Sequence, residues 1–179
     1  MSRRKAKIII LCEGVEDYDL ARRALMRMGW NKRLFEPRIC PPGTRSGEQF
    51  VRQNYPGELR AQRTREGRKL LVCTDADRYA VSERVRQLEA ALKAAGERAR
   101  GRQERVALWI PRRNLETWVY LYTQDGRVDE STDYKHRVGE DDFQAAARRL
   151  GDDLKRQVAP SRACPSLARA FVETDRIRG

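Results

Sequence analysis

The chain reads as an α/β protein: a mostly parallel sheet with helices on both faces and a small helical C-terminal extension. Two observations predict this. Apolar runs without alternation, at Ile8-Ile9-Ile10-Leu11-Cys12, Leu70-Leu71-Val72-Cys73 and Val106-Ala107-Leu108-Trp109-Ile110, have the composition of strands covered on both faces. Between them lie segments whose apolar residues recur at helical spacing, and strand–helix–strand alternation is the order of a parallel sheet with crossover helices.

Taken in order, the first strand ends at Glu13-Gly14, after which Tyr18, Ala21, Leu25 and Met28 mark a helix that Gly29 is placed to end. Residues 30–42 read as a loop, a short strand around Glu36 to Cys40 and a Pro-Pro-Gly turn. In the polar segment that follows, Phe50, Val51 and Tyr55 predict a short helix that Pro56 interrupts. A basic segment with Arg60, Arg63, Arg65 and Arg68 leads into the second apolar strand. Beyond it, Val81, Val85, Leu88 and Leu92 form the apolar stripe of an amphipathic helix, with Ser82 near its start and Gly96 near its end. After the third apolar strand, Asn114 caps a helix whose Leu115, Trp118, Val119 and Tyr122 face the core. Residues 124–139 are polar and read as a loop. Phe143, Ala146, Ala147, Leu150, Leu154 and Val158 predict a broken helix or two short ones, and Leu167, Ala170 and Phe171 a last one. Residues 1–125 thus form the α/β part, and residues 126–179 a loop and helical extension packed on the same domain.

The 179 residues suffice for one domain with a substantial core. Lys and Arg number 38 against 26 Asp and Glu, a formal net charge of +12. A chain this basic that also gathers acids at one place carries a large positive surface elsewhere, as a polyanion-binding protein does. A solvated, Arg-rich surface without a ligand would give the same composition. The four cysteines, Cys12, Cys40, Cys73 and Cys164, have neither CxxC nor zinc-ligand spacing, and Cys12 and Cys73 end apolar strands as small buried hydrophobes. A reduced, cytoplasmic setting is the simplest reading. Only five apolar residues precede Glu13, too short a run for a signal peptide or a membrane span, so no membrane partner is expected.

The chemistry concentrates where apolar strands end in acids. Asp75 and Asp77 follow one strand and Glu13 another; parallel strands bring these ends to one edge of the sheet. Residues two apart in an extended segment project to the same side, so Asp75 and Asp77 can share a hard cation such as Mg²⁺. The competing reading makes them solvated turn residues, one capping the next helix. Carboxylates gathered this way repel unless protons or a cation intervene, which favours a metal. Glu16, in the first turn of the first helix, either complements the helix dipole or supports the metal. Glu116 opens a later helix near the same edge. For the basic residues Arg60, Arg63 and Arg65, a place beside the acidic edge would let them grip phosphates, with Arg78 and Lys135 as further contacts, although a solvated helix face explains the run equally.

Leu11-Cys12-Glu13-Gly14-x-Glu16-Asp17, followed by Val72-Cys73-Thr74-Asp75-Ala76-Asp77, resembles the Toprim domain of topoisomerases, primases and overcoming-lysogenization-defect-type nucleases. Ile110-Pro-Arg-Arg-Asn-Leu-Glu116-Thr-Trp118 and Cys164-Pro-Ser-Leu-Ala-Arg-Ala-Phe171 resemble parts of small stand-alone bacterial Toprim-like proteins, and the likeness covers about residues 5–125. The resemblance implies a Toprim-like, Rossmann-type sheet and an Mg²⁺- or Mn²⁺-dependent nuclease, with DNA ahead of RNA as substrate. It further implies Glu13, Asp75, Asp77 and Glu16 as the metal site, Glu13 as an acid or base, and Glu116 as an added ligand or general base. A role in phage defence or mobile-element control, an ATPase partner protein and a homodimer also rest on the resemblance. A Toprim-like subunit that binds nucleic acid or a partner protein without cutting stands as the alternative. An Asp-x-Asp phosphatase or dehalogenase-like activity is disfavoured, because Arg78-Tyr79 stand where that class has a small turn and a Thr.

Overall fold

The computed structural model describes residues 7–44, 46–124 and 127–178. The elements run β1 (Ile8–Cys12), α1 (Val15–Arg27), a 3-10 turn (Lys32–Leu34), β2 (Phe35–Ile39), α2 (Gly47–Thr64), β3 (Lys69–Cys73), α3 (Val81–Ala94), β4 (Val106–Trp109), α4 (Glu116–Thr123), α5 (Glu140–Arg156) and α6 (Pro165–Arg178). The strands form one all-parallel sheet in the order β2-β1-β3-β4, with Cys12 in register with Cys73 and Cys73 with Trp109. The chain steps outward from β1 to β2, then returns across β1 to start β3. The winding therefore reverses between β1 and β3, which creates a crevice at their carboxyl ends.

Alternation along the central strands sends side chains to two cores. Ile8, Ile10 and Cys12 join Leu71, Cys73, Ala107 and Trp109 on the face packed by α1, α4, α5 and α6. Ile9 and Leu11 join Leu70, Val72, Val106 and Leu108 on the face packed by α2 and α3. Every residue of β1, β3 and β4 is buried, which is why these runs lack polar alternation.

The C-terminal helices complete the first core. α5 crosses α1 so closely that a Cβ on Gly151 would lie 2.5 Å from Arg27 Cβ and 2.7 Å from the Ala24 carbonyl oxygen, a contact only glycine permits. α6 is tied to β4 by the Leu108 amide donating to Glu173 (2.9 Å) and the Trp109 indole donating to Thr174 (2.9 Å). The Trp118 indole likewise donates to Ser166 at 2.9 Å.

Several expectations are corrected. Pro56 does not interrupt its helix: α2 runs unbroken through it for 18 residues. Val51, Tyr55, Pro56 and Leu59 are all buried on one face, and this packing offsets the roughly 3 kcal/mol that an interior proline costs. α5 is a single helix, its buried Ala146, Ala147, Leu150, Gly151 and Leu154 forming one stripe. Its αL residue Gln157 stops it before Val158, which is exposed. α4 begins at Glu116, with Asn114 accepting the Thr117 amide through its carbonyl at 3.1 Å. Among the described residues no helix is long and apolar enough to cross a membrane.

Candidate functional site

The crevice between β1 and β3 is where the acids meet. Glu13 follows β1 directly, and its Oε1 accepts from the Thr74 hydroxyl (2.5 Å) and the Asp75 amide (2.9 Å), bridging the two strand ends. Burial raises the Glu13 pKa above the usual carboxylate range despite these two donors. Asp75 is more heavily desolvated. Burial first, then the charges of Asp17 and Glu13, raise its pKa well above the ordinary value. Its Oδ1 is buried and accepts no hydrogen bond from the described residues. An orphaned carboxylate oxygen is costly unless a proton or cation meets it.

Asp17 completes this group. Its Oδ2 accepts the Gly14 amide at 2.8 Å, the back-bond of a capping box at the start of α1. That bond turns the carboxylate toward the end of β1. Burial and the neighbouring Glu13 charge push its pKa up to about 7. Glu16, one residue earlier on the helix, is exposed and instead lines a separate cleft with Glu116 and Lys135. The metal-supporting role expected of Glu16 thus has a better-placed candidate in Asp17. The capping spacing from Gly14 to Asp17 is the sequence signal that distinguishes them. Glu116 contributes through space: burial raises its pKa, and its charge in turn raises those of Asp75 and Asp17.

Asp77 departs from the expected geometry. The chain leaves the extended conformation there, with Asp77 at φ 55°, so Asp75 and Asp77 are not two steps of one strand. Asp77 is exposed and pairs with Arg84 at 3.0 Å. Arg84, only 3% exposed, also donates to the Asp75 carbonyl (2.8 Å) and Gln87 (2.6 Å) and pairs with Glu48 (2.7 Å). This arginine, which the sequence does not single out, is the brace of the Asp75–Asp77 turn. No three of the described His, Cys, Asp and Glu side chains stand close enough, as placed, to close a metal shell. Glu13 is engaged by Thr74 and the Asp75 amide, and Asp77 by Arg84. The donor set is nonetheless all carboxylate, the chemistry a hard divalent cation takes, and Asp75 supplies a free buried oxygen.

The predicted cationic residues divide. Arg60, Arg63 and Arg65 lie at the far end of α2, which leads into the start of β3, so they sit at the sheet edge opposite the acids and not beside them. Arg63 is partly buried among Glu97 (2.9 Å), Glu104 (2.7 Å) and the carbonyls of Arg98 and Ala99; Arg60 pairs with Glu97 (2.6 Å). Arg65 lines a shallow cleft with Arg98 and Arg105 at that edge. Arg78 is at the acidic edge, in a cleft of about 620 Å³ lined also by Glu13, Asp77, Tyr79, Arg84 and Arg113. No protein family, curated protein or solved structure matches the chain.

Proposed function

We propose that the chain is a Toprim-like phosphodiesterase that hydrolyses nucleic acid with the help of Mg²⁺ or Mn²⁺. The observation that carries this reading is the convergence of Glu13, Asp17 and Asp75 in the switch-point crevice, with Asp75 Oδ1 buried and unpartnered. Crevices of this kind, at the carboxyl ends of strands where the winding reverses, are where open α/β sheets bind ligands. Asp75 and Asp17 would hold the cation, with Glu13 beside them. Such an ion polarises a phosphoryl oxygen and lowers the pKa of its bound water, so that no protein nucleophile is needed.

The chain's own groups supply proton handling and charge balance. Glu13, with its raised pKa, holds or releases a proton nearer to neutral pH than an exposed carboxylate does, which suits a general acid or base. Arg78 and Arg113 face the same cleft and offer phosphate contacts. DNA precedes RNA as substrate on the resemblance alone, as do phage defence and an ATPase partner.

The test is cleavage of labelled DNA and RNA in Mg²⁺ or Mn²⁺ by the wild-type chain and Asp75→Asn. Metal-dependent cutting that disappears in a folded Asp75→Asn variant supports the proposal. Nucleic-acid binding that persists in chelator, without cleavage in any metal, supports the second reading of a non-catalytic binding subunit. That reading is favoured by one specific observation, the engagement of Glu13 by Thr74 and of Asp77 by Arg84.

A further inference from the structure

Tyr79 is the one exposed aromatic among the chain's Phe, Trp and Tyr side chains, all of which lie among the described residues. It stands two residues beyond Asp77, in the turn before α3, where its amide donates to the Ala76 carbonyl at 2.9 Å. The turn is held rigidly, because Arg84 binds the carbonyl of Asp75 and the carboxylate of Asp77. The ring lies in the wall of the 620 Å³ cleft that also exposes Glu13. Tyr79 is 38% exposed, so part of it stays open to solvent in a turn that Arg84 already braces.

Two guanidinium groups attend the ring, with Arg84 Cζ at 5.6 Å and Arg78 Cζ at 5.5 Å from its centroid. They differ in kind. Arg84 is buried and committed to Asp77, Glu48 and Gln87, so it approaches from the protein side and stays. Arg78 is exposed and forms no ion pair with the described residues, and its guanidinium rests over the Tyr79 ring. It is free to move onto a phosphate and leave the ring to another planar group. Arg113, which lines the same cleft, holds Asp133 only at 3.9 Å. A ring, two available cations and a strand-end acid in one cleft match the parts list of a site that stacks a base and tracks its backbone.

We infer that Tyr79 is the stacking platform for an unpaired base and that this cleft takes single-stranded nucleic acid, its phosphates meeting Arg78 and Arg113. The assignment rests on the nucleic-acid reading proposed above and names its substrate class. A duplex keeps its bases inside the stack and offers Tyr79 only sugar and phosphate.

Binding in chelator tests it separately from cleavage. Anisotropy of a labelled oligothymidylate of about ten nucleotides and of a hairpin duplex is measured with EDTA present. The wild-type chain is expected to bind the single strand more tightly than the duplex. Tyr79→Ala is expected to weaken the single strand about tenfold, within the range found for one base–aromatic stack, while leaving the duplex unchanged. Tyr79→Phe, which keeps the ring, should match wild type. An abasic strand of the same length should bind wild type as weakly as the normal strand binds Tyr79→Ala, with no further loss in the variant. Equal single-strand affinity for wild type and Tyr79→Ala, an equal loss on the duplex or abasic strand, or no oligonucleotide binding at all overturns the inference. Melting curves establish that each variant is folded under the assay conditions, since part of the Tyr79 ring packs on Arg84. A chain that cuts nothing in metal but passes this test loses the hydrolase reading and retains the stacking site.

Discussion

Gly47 sits against Glu13: a Cβ built at Gly47 would lie 2.6 Å from Glu13 Cβ and 3.0 Å from its Cα. The first turn of α2 therefore abuts the strand end that carries a candidate catalytic carboxylate. A methyl group there has no flexible neighbour to displace, only the backbone and Cβ of Glu13. Gly47→Ala is expected to shift Glu13 away from Thr74 and the Asp75 amide, lower metal-dependent cleavage at least tenfold and reduce stability by about 1–3 kcal/mol. Gly57 on the same helix has open space around it, and Gly57→Ala should be neutral or stabilising by up to about 1 kcal/mol. Parallel melting curves and single-turnover cleavage rates distinguish the two.

The carboxyl cluster predicts a pH dependence of definite sign. Asp17 is held at about 7 in the fold against 3.8 as a free side chain, so the folded chain binds more protons than the unfolded one between those values. Stability from this group is full at low pH and falls as pH rises from about 4 to about 7, at up to about 1.4 kcal/mol per pH unit. Asp75, likewise raised well above its ordinary value by burial, adds to the decline in the same direction. In EDTA at pH 8, Asp17→Asn and Asp75→Asn should thus be more stable than wild type, and the difference should shrink toward pH 4. Added Mg²⁺ should stabilise wild type at pH 8 and have little effect on Asp75→Asn. Urea midpoints across this range read the outcome, and a wild-type curve parallel to both variants would contradict it.

Arg84 predicts a coupled loss. Replacing it with Met leaves Glu48 only its pair with the half-exposed Arg52 and releases the Asp75 carbonyl, with an expected cost of about 1–3 kcal/mol. Arg84→Lys keeps the charge but not the planar fork that reaches Asp75, Asp77 and Gln87 together. The Lys variant should retain more than half of the lost stability yet show cleavage depressed about as far as Met does. Recovery of activity in Lys would show that charge, not the shape of the turn, is what the site needs.

How far the sequence revealed the site follows from what each residue's neighbours encode. Glu13 and Asp75 were legible because an apolar run that stops at an acid places that acid at a strand end, and the parallel order puts strand ends together. Asp17 was less so, because an acid in a first helical turn looks the same whether it merely caps or also faces a crevice. Arg84 was hidden, since its burial depends on the turn at Asp77 folding back over α3. Arg60 and Arg63 misled for a related reason: cations at helical spacing look alike whether they await phosphates or are met by Glu97 and Glu104 from another part of the chain. The sheet itself was readable from its apolar runs, whereas the passage of α2 through Pro56 was decided by tertiary packing that no local rule contains.

For Arg63 the prediction is accordingly structural. Arg63→Ala strips partners from the partly buried Glu97 and Glu104 and should cost about 2–4 kcal/mol. Salt titrations of nucleic-acid binding by the folded fraction should keep their slope in this variant and lose close to one phosphate's worth in Arg78→Ala. A reduced slope in Arg63→Ala would return that edge of the sheet to the binding surface.

The outer rim of β4 has its hydrogen bonds already spoken for. The Leu108 amide is taken by Glu173, and the Val106 carbonyl by Arg100, which itself pairs with Glu173. On the opposite rim, Pro37 stands within β2 and has no amide to give. Neither border offers a continuous row of donors and acceptors: a strand added at β4 must dismantle the Arg100–Glu173 lock, and one added at β2 meets a missing donor at Pro37. Strand-by-strand aggregation is thereby hindered at both margins, and more strongly at β4 than at β2.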